Sequence, residues 1–141
     1  MKRKILIVTE RRADYSKFRP IIKEIIKSKK LSYQLIVTGS HFSKDHGYTI
    51  NEIKKDGFHI DAKFRMFSKN NGDTGSDMAF SLGIALQKLS KIVSKLKPDI
   101  ILSGFDIGAN LAVAIVGSHM NIPVAHLEAG EVTGTIDDPI R

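Results

Sequence analysis

The sequence predicts an α/β fold, a Rossmann-like parallel sheet flanked by helices. Short apolar segments rich in β-branched residues alternate along the chain with segments in which apolar residues recur at helical spacing. Clusters of turn-forming residues separate many of these segments. Strict alternation of strands and helices is typical of a parallel sheet, because each crossover between neighbouring parallel strands is usually a helix.

The first strand and helix illustrate the pattern. Residues 4–9 form a continuous apolar run, as expected of a strand that is buried on both faces. Apolar residues at helical spacing follow over residues 14–28. We expect this helix to begin near Ser16 or Lys17, since Pro20 then falls in its early turns, where proline costs little.

The rest of the chain continues the alternation. Further strands are predicted at 31–38, 58–64, 100–102 and 122–127, and further helices at 49–55, 77–97 and 108–119. Residues 65–76 are rich in Gly, Asn, Asp and Ser, which predicts a surface loop. At 141 residues the chain is expected to form a single domain, 1–141.

The composition limits the classes of function. With 42% hydrophobic and 26% charged residues, the chain can form a core. No apolar run is long enough to cross a bilayer or to form a signal peptide, so we expect a cytoplasmic protein without a membrane partner. The absence of cysteine excludes disulfides, thiolate metal sites and a cysteine nucleophile.

The formal net charge of +7 raises the question of nucleic-acid binding. Eight lysines supply much of the excess, at spacings that place them on the outer faces of two predicted helices. They are Lys23, Lys27, Lys29, Lys30, Lys88, Lys91, Lys95 and Lys97. Solvated helix faces explain this pattern better than a nucleic-acid interface, and the charge still favours small anionic ligands.

Ligands of open parallel sheets bind beyond the carboxyl ends of the strands. Residues 9–16 follow the first strand and begin a helix, whose free N–H groups and neighbouring arginines suit a phosphate group. The segment lacks the glycine fingerprint of dinucleotide sites and the lysine loop of nucleotide triphosphatases. An ordinary capped helix with surface arginines is the alternative interpretation.

The densest group of acids follows the last predicted strand. Glu128, Glu131, Asp137 and Asp138 lie within eleven residues, and crowded carboxylates raise one another's pKa, which suits an acid or base. A metal site, helix capping and simple solvation are the alternatives. His126 lies two residues before Glu128, so an extended strand would point both to one face.

Asp106 follows the fourth strand and is expected either to face this site or to cap the next helix. The other histidines, His41, His46 and His119, have no metal-ligand spacing among themselves. The residues alone therefore leave the role of Asp106 open.

Five segments, taken in order, are spread over nearly the whole chain: RRADYSKFRPII at 11–22, VTGSH at 37–41, KPDI at 97–100, MNIPVAH at 120–126 and EAGEVTGTIDD at 128–138. Together they closely resemble the hydrolysing UDP-N-acetylglucosamine 2-epimerases, in the branch that serves sialic-acid and related nonulosonic-acid biosynthesis. The resemblance implies a two-domain enzyme of the glycosyltransferase-B architecture. This chain would be its N-terminal domain, without the second domain that supplies most uridine contacts and another catalytic histidine.

The resemblance also implies the chemistry. Such enzymes eliminate UDP from UDP-N-acetylglucosamine to form a glycal and then add water, giving N-acetylmannosamine, with no metal or redox cofactor. A homo-oligomer assembled through helices of this domain is expected on the same ground. The residues implied are Arg12 and Ser16 as UDP contacts, Asp106, Glu128 and Asp137 as catalytic carboxylates, His126 and Glu131 in support, and Arg141 as the substrate-binding arginine that opens the next helix.

One departure from the family pattern affects this interpretation. Relatives read G-D-R after the fourth strand, whereas this chain has Phe105-Asp106-Ile107 and so lacks the arginine near the nucleotide. A non-catalytic module that binds nucleotide sugars is therefore the alternative function. A glycosyltransferase of related architecture would explain the fold but not the acid cluster.

Overall fold

The computed structural model describes residues 1–67, 74–105 and 108–134. Within these ranges the chain forms five strands, four α-helices and one 3-10 turn. In chain order they are β1 (Arg3–Thr9), α1 (Arg12–Lys27), β2 (Leu31–Val37), the 3-10 turn (Gly39–Phe42), α2 (Ile50–Lys55), β3 (Ala62–Lys63), α3 (Gly75–Leu96), β4 (Ile100–Gly104), α4 (Ala109–His119) and β5 (Val124–Leu127).

The five strands form one sheet in the order β3-β2-β1-β4-β5, and every neighbouring pair is parallel. Ile7 of β1 lies opposite both Leu35 of β2 and Leu102 of β4, so β1 is at the centre. The predicted fold class is confirmed. The chain moves outward from β1 through β2 to β3 and then returns to the other side of β1 as β4, which opens a crevice beyond the carboxyl ends of β1 and β4.

Helices cover both faces of the sheet. Leu6 and Val8 of β1 contribute to the core that contains residues of α3 and α4, whereas Ile7 packs into the core that contains residues of α1 and α2. Successive residues of a strand point to opposite faces, so a continuous apolar run can serve both cores. Full burial of such a side chain stabilises the fold by roughly 1.5–3 kcal/mol. Leu6, Ile7 and Val8 of β1 therefore need to be apolar.

Helix α1 begins at Arg12, so the predicted start near Ser16 or Lys17 was wrong. Arg11 is the N-cap, and its backbone N–H donates to Asp14 Oδ2 at 3.1 Å while its side chain bonds the same carboxylate. This capping interaction fixes the start of α1 about one turn before the start that the position of Pro20 predicted. Pro20 consequently lies inside the helix, on an exposed face, where its missing N–H is tolerated.

Strand β3 contains only Ala62 and Lys63, much shorter than the predicted 58–64. The carboxylate of Asp61 explains the difference. Its Oδ2 accepts a hydrogen bond from the backbone N–H of Leu35 at 2.8 Å, which replaces a backbone partner from the edge strand. The pairing of β2 with β3 is therefore confined to the last two residues of β2.

The other boundaries lie close to the predictions. Helix α3 begins after Thr74, whose hydroxyl accepts from Asp77 N–H at 3.2 Å, and ends before Lys97 in a left-handed conformation, φ 47°. Pro98 then prevents continuation of the helix. In the described ranges no helix is both long and apolar enough to span a membrane.

Candidate functional site

The crevice at the carboxyl end of the sheet brings together segments that are distant in sequence. Glu10 follows β1, Phe105 follows β4, and α4 begins at Ala109. Glu128 follows β5, one strand further along the sheet. Open parallel sheets bind their ligands at this position, so these residues define the candidate site.

Glu10 is almost fully buried, with 8% of its surface exposed. Its Oε2 accepts a hydrogen bond from the backbone N–H of Ala109 at 2.6 Å, and its backbone carbonyl accepts from Ser40 Oγ at 3.1 Å. Burial raises the pKa of the Glu10 carboxyl, which the Ala109 N–H and the charge of Arg11 offset only in part. Glu10 thus connects the ends of β1 and β2 to the first residue of α4.

Two glycines make room for this side chain. Gly39 and Gly108 both adopt left-handed backbone conformations, with φ of 62° and 86°. A Cβ atom at Gly39 would overlap the Glu10 Cγ, and a Cβ atom at Gly108 would overlap the Glu10 Oε2. Both positions therefore require glycine for two separate reasons, the backbone conformation and the close approach of Glu10.

Lys17 and Glu128 form an ion pair across the mouth of the crevice. Lys17 Nζ lies 2.7 Å from Glu128 Oε1 and 2.8 Å from Oε2, and it also lies 4.6 Å from the centre of the Phe105 ring. Glu128 adopts a left-handed backbone conformation, φ 60°, directly after β5. The pair places a cation of α1 and a carboxylate from the end of β5 at one point.

Arg12 and Ser16 lie on α1 along a shallow groove between α1 and α2. Arg12 Nε is 3.4 Å from Glu52 Oε1, and the Ser16 hydroxyl donates to the Ala13 carbonyl oxygen at 2.7 Å. At the far end of this groove the Tyr15 hydroxyl and Arg19 both bond Asp56, which holds the pKa of that carboxyl below its ordinary value. Since 74% of the Arg12 side chain is exposed, its guanidinium can reach an anionic ligand.

His41 is fully buried beneath the crevice. Its Nε2 lies 2.9 Å from Thr9 Oγ1 and its Nδ1 lies 2.7 Å from Thr49 Oγ1. Burial lowers the pKa of His41 to about 4, so the ring is neutral at physiological pH. His41 therefore ties the end of β1 to the residue that precedes α2, and it has a structural role.

A sequence profile of UDP-N-acetylglucosamine 2-epimerases matches residues 23–141. The chain belongs to the UDP-N-acetylglucosamine 2-epimerase family. Among curated relatives, the chain is 38% identical to a UDP-N,N'-diacetylbacillosamine 2-epimerase (hydrolyzing) from Legionella pneumophila, covering 100% of this chain and 37% of that protein. It is 40% identical to a GDP/UDP-N,N'-diacetylbacillosamine 2-epimerase (hydrolyzing) from Campylobacter jejuni, covering 99% of this chain and 36% of that protein.

A solved structure of the UDP-GlcNAc 2-epimerase from Neisseria meningitidis, bound to UDP-GlcNAc, has the same fold. The TM-score is 0.78 at 22% identity, over 94% of this chain and 33% of that chain. The neighbouring epimerases have the glycosyltransferase-B type of fold, as the sequence predicts. This epimerase-family chain thus spans about a third of the length of the relatives it matches.

The site residues predicted for the epimerase family fall into three groups. Arg12 and Ser16 lie along the groove between α1 and α2, and Glu128 lies beside Lys17 at the carboxyl end of the sheet. His126 is exposed in β5, and the predicted sharing of one face with Glu128 does not follow, because the strand ends at Leu127 and Glu128 is not extended. Glu131 is exposed beyond the strand. Four further positions lie outside the described residues: Asp106, Ile107, Asp137 and Arg141.

The sequence did not single out Lys17 or Glu10 within this epimerase-family site. Lys17 is the last residue of the R-A-D-Y-S-K segment, so its place in that motif was the available signal. Glu10 offered only its position directly after a buried strand. Among residues 1–67, 74–105 and 108–134, no three His, Asp or Glu side chains are grouped to hold a metal ion.

Proposed function

We propose that this chain is the N-terminal domain of a hydrolysing UDP-N-acetylglucosamine 2-epimerase. Its substrate is UDP-N-acetylglucosamine or a closely related diacetamido sugar, and its product is the corresponding N-acetylmannosamine-type sugar, for sialic-acid-type biosynthesis. The observation that carries the proposal is the Lys17–Glu128 pair at the carboxyl end of the sheet. The names of the Legionella and Campylobacter relatives support hydrolysis and a diacetamido substrate.

The reaction needs a carboxylate and cations in one place. A base removes the proton at C2 of the sugar while the C1–O bond to UDP breaks, and water then adds to the glycal. Cations lower the energy of the leaving diphosphate. Lys17 bonds both oxygens of Glu128 and so fixes the orientation of this carboxylate, while the exposed Arg12 lies on the same helix. We assign the proton transfers to Glu128 with the predicted carboxylates Asp106 and Asp137.

The activity is proposed for a longer protein that includes this chain. The relatives are about three times as long, so we expect a second domain to close over the crevice and to contact the uridine. We also propose that the protein works in the cytoplasm as a homo-oligomer.

A non-catalytic module that binds nucleotide sugars is the second candidate. Ile107 stands where the family pattern has an arginine near the nucleotide, which favours weaker phosphate binding. On this alternative the Lys17 and Arg12 cations still bind a UDP-sugar, but no turnover follows.

Incubation of the longer protein that includes this chain with UDP-N-acetylglucosamine in deuterated water, followed by proton NMR, tests these candidates. The proposed route exchanges the C2 proton for solvent deuterium, so C2-deuterated N-acetylmannosamine is the expected product. The Glu128→Gln variant should abolish this product and retain UDP binding measured by calorimetry. Binding of UDP-N-acetylglucosamine without any product would favour the non-catalytic module, and absence of UDP binding would contradict both candidates.

A further inference from the structure

The start of α4 already holds a negative group that belongs to the chain itself. Glu10 Oε2 accepts from the Ala109 N–H, the first residue of α4, although the two residues are 99 positions apart. Free N–H groups at a helix start attract anions such as phosphate, and a carboxylate satisfies the same demand. The Glu10 carboxylate thus occupies the place that a phosphate would take at this helix.

The surroundings of Glu10 leave little space for a second anion. The side chain packs so closely on Gly39 and Gly108 that neither position could carry a Cβ atom without overlap. The charged groups that act on the Glu10 carboxyl are Arg11 and Asp14, both near the start of α1. On the α4 side, the group that bonds the Glu10 carboxylate among the described residues is the Ala109 N–H.

We propose that Glu10 is a positioning residue that holds the start of α4 in place and excludes phosphate from it, so that the diphosphate of a nucleotide sugar binds on the α1 side of the crevice. Within the first six residues of α1 the cations are Arg12 and Lys17, and both are partly exposed. The inference that the diphosphate binds on the α1 side rests on the proposed function. The inference that Glu10 holds the start of α4 does not, because it needs only the hydrogen bond to the Ala109 N–H and the packing of Glu10 on Gly39 and Gly108.

Two neutral variants separate the contact from the charge. Glu10→Gln keeps an acceptor oxygen near the Ala109 N–H and removes the charge, whereas Glu10→Ala removes both. Hydrogen exchange of the Ala109 amide, followed by NMR, should be about tenfold faster in Glu10→Ala than in Glu10→Gln, the effect of losing one hydrogen bond. Glu24→Gln, at an exposed carboxylate that pairs with Lys27, is the matched control and should leave Ala109 unchanged.

Inorganic phosphate and acetate test the exclusion directly. In Glu10→Ala either anion should shift the Ala109 amide resonance and slow its exchange, whereas in the wild-type chain neither should. If Glu10→Ala does not fold, Glu10→Asp serves instead, because its carboxylate is one methylene too short to keep the 2.6 Å contact. Equal exchange in all variants, or a phosphate response of Ala109 in the wild type, would overturn the proposal.

UDP then tests the direction of binding. In the wild-type chain UDP should shift the amides of Tyr15, Ser16 and Lys17 and not that of Ala109, whereas in Glu10→Ala UDP should also shift the amide of Ala109. A UDP-induced shift confined to Ala109 would overturn the inference. If the wild type binds no UDP, the proposed function fails, and the Ala109 exchange with phosphate and acetate still decides the role of Glu10.

Discussion

The ammonium group of Lys17 contacts both carboxylate oxygens of Glu128, 111 residues further along the chain, at 2.7 and 2.8 Å. About half of the Lys17 side chain and 38% of the Glu128 side chain are exposed. An exposed pair of this kind contributes at most about 1 kcal/mol to stability. Its value to the protein is therefore the placement of a cation and a carboxylate at the site.

Replacement of Lys17 by Gln should separate binding from stability. The free energy of unfolding should change by less than about 1 kcal/mol, because the pair is exposed. UDP affinity, measured by calorimetry, should fall about tenfold through the loss of one charge-assisted contact to phosphate. Lys29→Gln, at an exposed lysine near the opposite end of the sheet, should leave UDP affinity unchanged. Equal losses of UDP affinity in both variants would show that UDP binding depends on the net charge of the chain and not on the position of Lys17.

His41 should make the fold sensitive to acid. Its pKa is lowered from 6.5 to about 4 by burial, so the folded chain binds fewer protons at His41 than the unfolded chain between these values. The stabilising contribution is fully present above pH 6.5 and is lost as the pH falls towards 4, up to about 3 kcal/mol.

Denaturant unfolding of the wild type and of His41→Gln at pH 7 and pH 4.5 measures this effect. The variant lacks the titrating group, so its stability should fall less between the two pH values than that of the wild type. Parallel losses would contradict the assignment to His41.

Gly108→Ala should destabilise the chain through overlap with Glu10 as well as through its backbone conformation. Gly57→Ala is the matched control, because Gly57 has a similar φ of 74° and open space around its Cβ position. We expect about 1 kcal/mol for Gly57→Ala and at least twice that for Gly108→Ala in thermal or denaturant unfolding. In a Glu10→Ala background, the difference in free energy of unfolding lost between Gly108→Ala and Gly57→Ala should become smaller. An unchanged difference would argue against overlap between a Cβ atom at position 108 and the Glu10 side chain.

Thr74→Ala should weaken the start of α3. The Thr74 hydroxyl accepts the Asp77 N–H, and loss of such a cap costs about 1 kcal/mol. Thr74→Ser keeps the hydroxyl and should cost much less. Urea denaturation followed by circular dichroism compares the two variants, and equal losses would assign the effect to the Thr74 methyl group.

Periodicity predicted the sheet, its helices and the edge at which the site lies, because the apolar patterns of strands and helices are local. It did not predict the two contacts that shape the crevice, Lys17 with Glu128 and Glu10 with Ala109. The residues of each pair are 99 or more positions apart, and they come together only after the chain has crossed from β3 to β4 and, for Glu128, on to β5. Local rules also failed at Asp61, where a side chain replaces a backbone partner and shortens β3.

The central position of β1 has a consequence for how the chain acquires its fold. One edge of β1 can pair with β2 as soon as β2 has been synthesised. The other edge can pair only with β4, which is synthesised much later. The contact between Lys4 N–H and the Asp99 carboxylate, for example, joins residues that are 95 positions apart. Contacts so distant in sequence slow folding, and an unpaired strand edge invites association with other chains. On the ribosome the nascent chain must therefore shield the unpaired backbone groups of this edge, with its own helices or with a chaperone, until residues 100–104 emerge.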